Sequence, residues 1–233
     1  MAIGYLIFRG VSTNSLDGVY VSKMPSHRKA SMRYKEYYVK GRDGALHVDE
    51  GFSNFDLSVT LVLADAGPEL RQIVNAWADG TGKLITSDDL TLAYKASVKD
   101  EIRWRRVLGN QGFFDTADIT FNCQPFVYEA VDSEITLDTS GSILNPGSAD
   151  ALPMIAIYGS GDASLTVAGY QITIPGMTAG VPVYLDCENG YVYTESGATT
   201  MTGDFPVLPL GQSDIVFGSG VSQVIITPHW RWV

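Results

Sequence analysis

Hydrophobic residues recur at two different spacings along this chain. In the stretch Gly67-Pro-Glu-Leu-Arg-Gln-Ile-Val-Asn-Ala-Trp-Ala-Asp-Gly80, the residues Leu70, Ile73, Val74 and Trp77 fall at i, i+3, i+4 and i+7. That spacing lines one face of a helix and predicts one over about 67–79. Pro68 suits a first helical turn, Asp65 or Gly67 can cap the start, and Gly80 can end it. The rest of the chain reads as short strands and turns. Phe55-Asp-Leu-Ser-Val-Thr-Leu-Val-Leu63 alternates and then becomes continuously apolar, as a central strand does. Strands are also predicted at 2–9, 19–21, 35–40, 45–48, 82–85, 90–98 and 117–123, with 125–128 continuing the last, while 102–108 is a basic, aromatic segment. A single apolar-faced helix among strands needs a sheet to cover, and Trp77 is expected in that core.

Past Leu137-Asp-Thr-Ser-Gly-Ser-Ile-Leu-Asn-Pro-Gly-Ser-Ala-Asp150 the pattern changes. Seven short strands follow at even spacing, from Pro153–Tyr158 to Gln223–Pro228, with glycines in the turns. This predicts a second, sandwich-like domain. The Ser, Gly and Pro content of 137–150 marks it as the linker. The expected fold is mainly β. Residues 1–138 form an N-terminal β-sandwich-like domain with one packed α-helix, and 139–233 form a C-terminal β-sandwich.

Composition narrows the class. Aromatic residues at 11% and charged residues at only 18% of 233 exclude a disordered chain. No apolar run is long enough to span a membrane as a helix, and the first ten residues show no basic, apolar signal-peptide pattern. Cys123 and Cys187 fall in different predicted domains, so a disulfide framework is not expected. Charge is uneven. Residues 1–138 hold 15 Lys/Arg against 19 Asp/Glu, whereas 139–233 hold Arg231 alone against 7 acids. The second half is therefore a poor surface for a phosphate backbone.

Candidate chemistry is sparse. His27, His47 and His229 lack metal-ligand spacing, and there is no H-E-x-x-H, C-x-x-C or Gly-x-Ser-x-Gly motif. Asp186 and Glu188 share a strand face and could begin a calcium or glycosidase site, but two carboxylates alone specify neither. No catalytic, metal or cofactor residues are assigned, and no enzyme activity is expected. Two segments, 23–42 and 95–106, interleave Lys and Arg with Tyr and Trp. Such stretches can bind nucleic acid or line a protein interface. The acidic remainder of the chain favours the interface.

Five segments in order carry a resemblance. Val39-Lys-Gly-Arg-Asp-Gly-Ala-Leu46 is similar to the V-x-G-R-D-G-x-L turn of siphophage distal tail proteins, the Dit or tail-component family. Pro153-Met-Ile-Ala-Ile-Tyr-Gly-Ser-Gly-Asp162 resembles that family's entry strand into the second domain. Leu185-Asp-Cys-Glu-Asn-Gly-Tyr-Val-Tyr193 resembles its acidic hairpin. Gly203-Asp-Phe-Pro-Val-Leu-Pro-Leu-Gly211 resembles its G-D-F-P loop, and Pro228-His-Trp-Arg-Trp232 its closing P-x-W-R. Lys40 stands where the family has Pro, and Pro209-Leu-Gly211 displaces the usual P-G pair.

The resemblance implies a virion structural protein made in the host cytoplasm. It implies a hexameric ring at the tail tip, built by the N-terminal domain, with a galectin-like C-terminal sandwich facing outward. The ring's implied partners are further copies of the chain, the tail tube protein, the tail-associated hub or fibre protein and the tape measure protein. No membrane or specific nucleic acid is implied. A ring needs one patch to meet a different patch on its neighbour, and Arg103, Trp104, Arg105 and Arg106 are the interface candidates. A galectin-like label also raises a carbohydrate- or receptor-binding module as the alternative. Trp230 and Trp232 are the only tryptophans beyond residue 138, so the sandwich is expected to be a docking surface and not a lectin.

Overall fold

The protein is described by a computed structural model covering residues 4–64, 67–109 and 112–233. It divides into two compact units, 1–130 and 131–232.

Among its described residues, and besides a 3-10 turn at Thr13–Ser15, the first unit holds ten strands and one α-helix. They are β1 (Leu6–Phe8), β2 (Val11–Ser12), β3 (Val19–Lys23), β4 (Met32–Tyr37), β5 (Leu46–Phe52), β6 (Phe55–Leu63), α1 (Pro68–Ala78), β7 (Thr81–Thr86), β8 (Asp89–Val98), β9 (Arg105–Gly109) and β10 (Gly112–Glu129). An antiparallel sheet runs in the order β2-β1-β7-β8-β10-β6-β3, and β9 pairs with the start of β10. β10 joins what the sequence reads as separate short strands into one of 18 residues. It stays continuous through Pro125 because the register with β8 shifts between Cys123 and Val127. A bulge there excuses the N–H that proline lacks.

Helix α1 lies where its periodicity predicts. Gly67 is its N-cap, Pro68 opens the first turn and Gly80 follows in the left-handed region at φ 93°. Asp65, the other predicted cap, lies outside the described residues. Val74 and Trp77 are buried, and Leu70 is half-buried. Ile73 departs from expectation: it is 48% exposed, because the sheet edge at β3 leaves that side of the helix uncovered. Trp77, Phe8 and Phe121 meet edge to face at 5.1–6.1 Å, and the Trp77 indole donates to the Val11 carbonyl at 2.9 Å. Edge-to-face rings add to simple burial. Around them pack Leu6, Leu57, Val59, Leu61, Leu63, Leu84 and Ile119.

The second unit is a two-sheet sandwich. Its strands are β11 (Ile135–Leu137), β12 (Gly141–Asn145), β13 (Met154–Gly159), β14 (Gly161–Val167), β15 (Tyr170–Met177), β16 (Val183–Asp186), β17 (Tyr191–Thr194), β18 (Gly197–Ala198), β19 (Gly211–Phe217) and β20 (Val221–Thr227). One sheet runs β11-β20-β13-β16-β17-β18 and the other β12-β19-β14-β15. Ile155, Ile157, Leu185, Val224 and Ile226 of the first face Leu165, Val167, Ile172, Ile174 and Ile215 of the second in one core. Strict alternation of buried and exposed positions along β14 and β19 produces this.

The segment 137–150, where the composition places the domain boundary, is built into the second unit. Residues 141–145 are β12, an edge strand whose Ile143 and Asn145 are buried, and Ile135 and Leu137 of β11 pack on the same core. The division between the units falls at Ala130/Val131. The Gly203 loop is also built in. Gly203 sits at φ 113°, and a Cβ there would strike the Gln171 carbonyl oxygen, so only glycine fits.

Candidate assembly surfaces

The four predicted interface residues lie around β9 and the segment before it. Each touches its own unit. Arg103 pairs with Glu101. The Trp104 indole donates to Asn75 of α1 at 3.1 Å and its ring packs on the core. Arg105, with its side chain 69% exposed, reaches Asp118 only at 3.5 Å. Arg106 donates to Asp115 at 3.2 Å.

Asp115 is fully buried and also receives Arg71 of α1 at 2.6 Å. Burial alone would raise its carboxyl. The hydrogen bonds and charges of Arg71 and Arg106 outweigh that and hold it below the usual carboxylate value. Arg106 is thus a brace between β9, β10 and α1 as well as a surface charge. Arg105 is the arginine of β9 with the looser internal pairing.

The basic stretch 23–42 takes an unusual form. β4 and β5 pair only with each other, as a two-stranded hairpin outside the main sheet. Its turn holds Gly41 and Gly44, both at positive φ (83° and 75°), which side chains rarely adopt. Every residue of β4, and all of β5 except Phe52, is exposed. Met32, Tyr34, Tyr37, Tyr38, Leu46 and Val48 carry apolar surface to water. Small contacts stiffen the hairpin. Tyr34 stacks on His47 at 4.6 Å, Lys35 lies 5.1 Å from the Tyr37 ring, and the Tyr38 hydroxyl donates to Glu36 at 2.7 Å. An isolated two-stranded hairpin is marginal in water.

The root of the arm is fixed to the body by residues that no local motif reveals. His27 Nε2 lies 2.5 Å from Asp88, and Nδ1 lies 2.8 Å from the Tyr94 hydroxyl. Asp88 is held low chiefly by a hydrogen bond from Thr86. Tyr94 is buried, and its hydroxyl is pushed up to about 12, first by burial and then by Cys123 and Asp88. Asp88, His27 and Tyr94 together tie the chain leading into the arm to the β7–β8 turn and to β8. The group works as an anchor. Ala30, only 4% exposed, and an edge-to-face contact of Phe52 with Phe126 at 5.7 Å complete the root.

In the second unit Asp186 does not pair with Glu188 around a ligand space. It accepts from the backbone N–H groups of Glu188 and Asn189 at 3.1 and 3.0 Å and from the Asn189 amide at 2.8 Å, closing its own turn. Among the described residues no group of three His, Cys, Asp or Glu gathers as metal ligands would. Trp230 is buried in the core. The register also sets a row that counting tryptophans misses. Tyr184 and Tyr193 stand opposite each other on the outer face of the six-stranded sheet, stacked at 5.3 Å and 23°.

No protein-family model and no curated protein matches the chain. Solved structures do. The crystal structure of the SPP1 Dit (gp 19.1) protein, described as a paradigm of the hub adsorption apparatus in phages infecting Gram-positive bacteria, matches over 100% of both chains. Its TM-score is 0.76 at 15% identity. A chain of the phage P2 baseplate in its activated conformation with calcium matches over 97% of both chains, with a TM-score of 0.53 at 12% identity. The strontium form of that baseplate gives 0.50 at 10% identity. Over its full length, therefore, the chain has the fold of the SPP1 Dit protein, a phage hub adsorption protein.

Proposed function

We propose that this chain is a structural protein of a phage tail tip. Copies of it close into a ring, taken to be a hexamer, that joins the tail tube to the tail-associated hub or fibre apparatus for host adsorption. It has no catalytic role in this reading. The tape measure protein is a further neighbour inside such a ring. The observation that carries the proposal is the arm: a hairpin with aromatic and aliphatic side chains on exposed faces, anchored firmly at its root and left uncovered along its length. Surface of that kind marks an association site. The full-length likeness to a hub adsorption protein supports where such a ring would sit.

Light scattering on a sizing column tests it. The expected species is six times 25.2 kDa, and electron micrographs of that fraction should show rings. A carbohydrate- or receptor-binding module is the other reading, and glycan binding by the intact chain at monomer mass would favour it. The single cation beyond residue 138 counts against it.

A further inference from the structure

The arm has two unlike faces and two open edges. Beyond a register shift near its root, Tyr34, Lys35, Glu36 and Tyr37 of β4 stand opposite Asp49, Val48, His47 and Leu46 of β5. Alternation puts Lys35, Tyr37, Leu46 and Val48 on one face and Tyr34, Glu36, His47 and Asp49 on the other. The second face is knitted together internally. Tyr34 stacks on His47, and His47 Nε2 lies 3.5 Å from Glu36. The first face is apolar, with Lys35 as the single charge among its four residues.

The edges matter more than the faces. In an antiparallel pair, every second residue turns its N–H and C=O away from the partner strand. β4 and β5 form a sheet of two, so both long edges carry such groups and no third strand meets either. The edges match in length, at six and seven residues, and neither contains a proline, so every residue can donate. Their charges differ. β4 carries Arg33 and Lys35 against Glu36, whereas β5 carries Asp49 and Glu50 and no Lys or Arg. Two β4 edges, or two β5 edges, would bring like charges together. β5 against β4 brings acid to base.

We infer that the arm of one copy extends the arm of the next: the outer edge of β5 pairs with the outer edge of β4 in a second copy, apolar face beside apolar face. This rests on the ring reading and names what the arm binds. With the ring axis along the arms, rotation keeps every arm pointing one way, so β5 of one copy runs antiparallel to β4 of its neighbour. The two edges are different surfaces. The pairing therefore repeats head to tail, and on closure it leaves no edge free. Each hairpin, marginal as two strands, then sits between further strands on both sides. Backbone hydrogen bonds supply the affinity, as in strand addition generally.

Cysteine pairing in the full chain tests it. His47→Cys is mixed in turn with Tyr34→Cys and with Glu36→Cys, each made as a separate protein; the three sites share one face. The native Cys123 and Cys187 are buried and stay out of the reaction. Under mild oxidation at least one mixture should give a covalent dimer of twice 25.2 kDa, whereas Tyr34→Cys and Glu36→Cys alone should not. Amide-resolved hydrogen exchange of the unmodified chain reads the edges directly. On assembly, the outward-facing amides of β4 and β5 should slow at least about tenfold, while the inward ones are already protected in the dissociated chain. A ring-sized species in which neither mixture cross-links, or in which the outward amides exchange as before, overturns this pairing and leaves the ring. A chain that stays monomeric at every concentration overturns the ring and the pairing together.

Discussion

The two units solve the problem of sheet surface in different ways. The second closes two sheets on each other, and its core runs from Ile143 on one edge strand to Trp230 near the end of the chain. The first unit buries an equally dry centre around Phe8, Trp77 and Phe121, yet leaves the arm, Leu108, Phe113 and Ile73 exposed. A protein that only had to fold would cover Tyr34, Leu46, Leu108 and Ile73. All four lie in the first unit, and they are surfaces that the proposed association would use. The second unit's paucity of Lys and Arg leaves it a neutral-to-acidic body with its apolar residues mostly inside.

The sharpest way to break that contrast is to remove the arm's apolar surface. Changing Tyr34, Tyr37, Leu46 and Val48 together to Ser should weaken self-association by about a hundredfold or more, as loss of several interface anchors does. The main melting transition should barely change, because the arm pairs only with itself and none of the four belongs to either core. Equal association by the variant would remove the arm from the interface. The next largest effect is inside the unit. Trp77→Ala should cost about 3–5 kcal/mol in denaturant unfolding by leaving a cavity beside Phe8 and Phe121. Circular dichroism should then show the first unit melting ahead of the second.

Asp115→Asn should cost less, about 2 kcal/mol. Both arginine partners are partly solvated, which puts the loss below that of a fully buried pair. Its pH dependence has a definite sign. The folded carboxyl titrates below its unfolded value of about 3.9, so its contribution is complete above that pH and is lost as pH falls through the lower folded value. The gap between parent and variant should therefore shrink in acid; a gap that grows would contradict the assignment. The smallest effect is chemical. Burial pushes the Cys123 and Cys187 thiols up to about 12, so a thiol reagent at pH 8 should label neither in the folded chain and both in denaturant.

Much of this was legible in the residues, for identifiable reasons. Helix α1 was readable because Leu70, Val74 and Trp77 keep a 3.6-residue period over three turns. The sandwich was readable from evenly spaced alternating strands. β12 was not, because Gly141-Ser-Ile-Leu-Asn145 offers Ile143 as its one buried aliphatic and otherwise has a linker's composition. The arm's turn could be read from Gly41 and Gly44. Its separation from the main sheet could not, since pairing partners are set by tertiary placement. The His27 anchor joins residues 61 and 67 positions apart, beyond any local pattern. Ile73 matched the helix period and still faces water, because the period gives a helix its apolar face without saying how far the sheet extends beneath it.

The central claim is that the first unit's uncovered surfaces hold copies of the chain together. Sedimentation of the intact chain beside the four-Ser arm variant, over a hundredfold range of concentration, tests it most directly. The account predicts a closed species of six 25.2 kDa copies for the parent and smaller species for the variant. A parent that sediments as a 25.2 kDa monomer throughout, or an arm variant that assembles as the parent does, would contradict it.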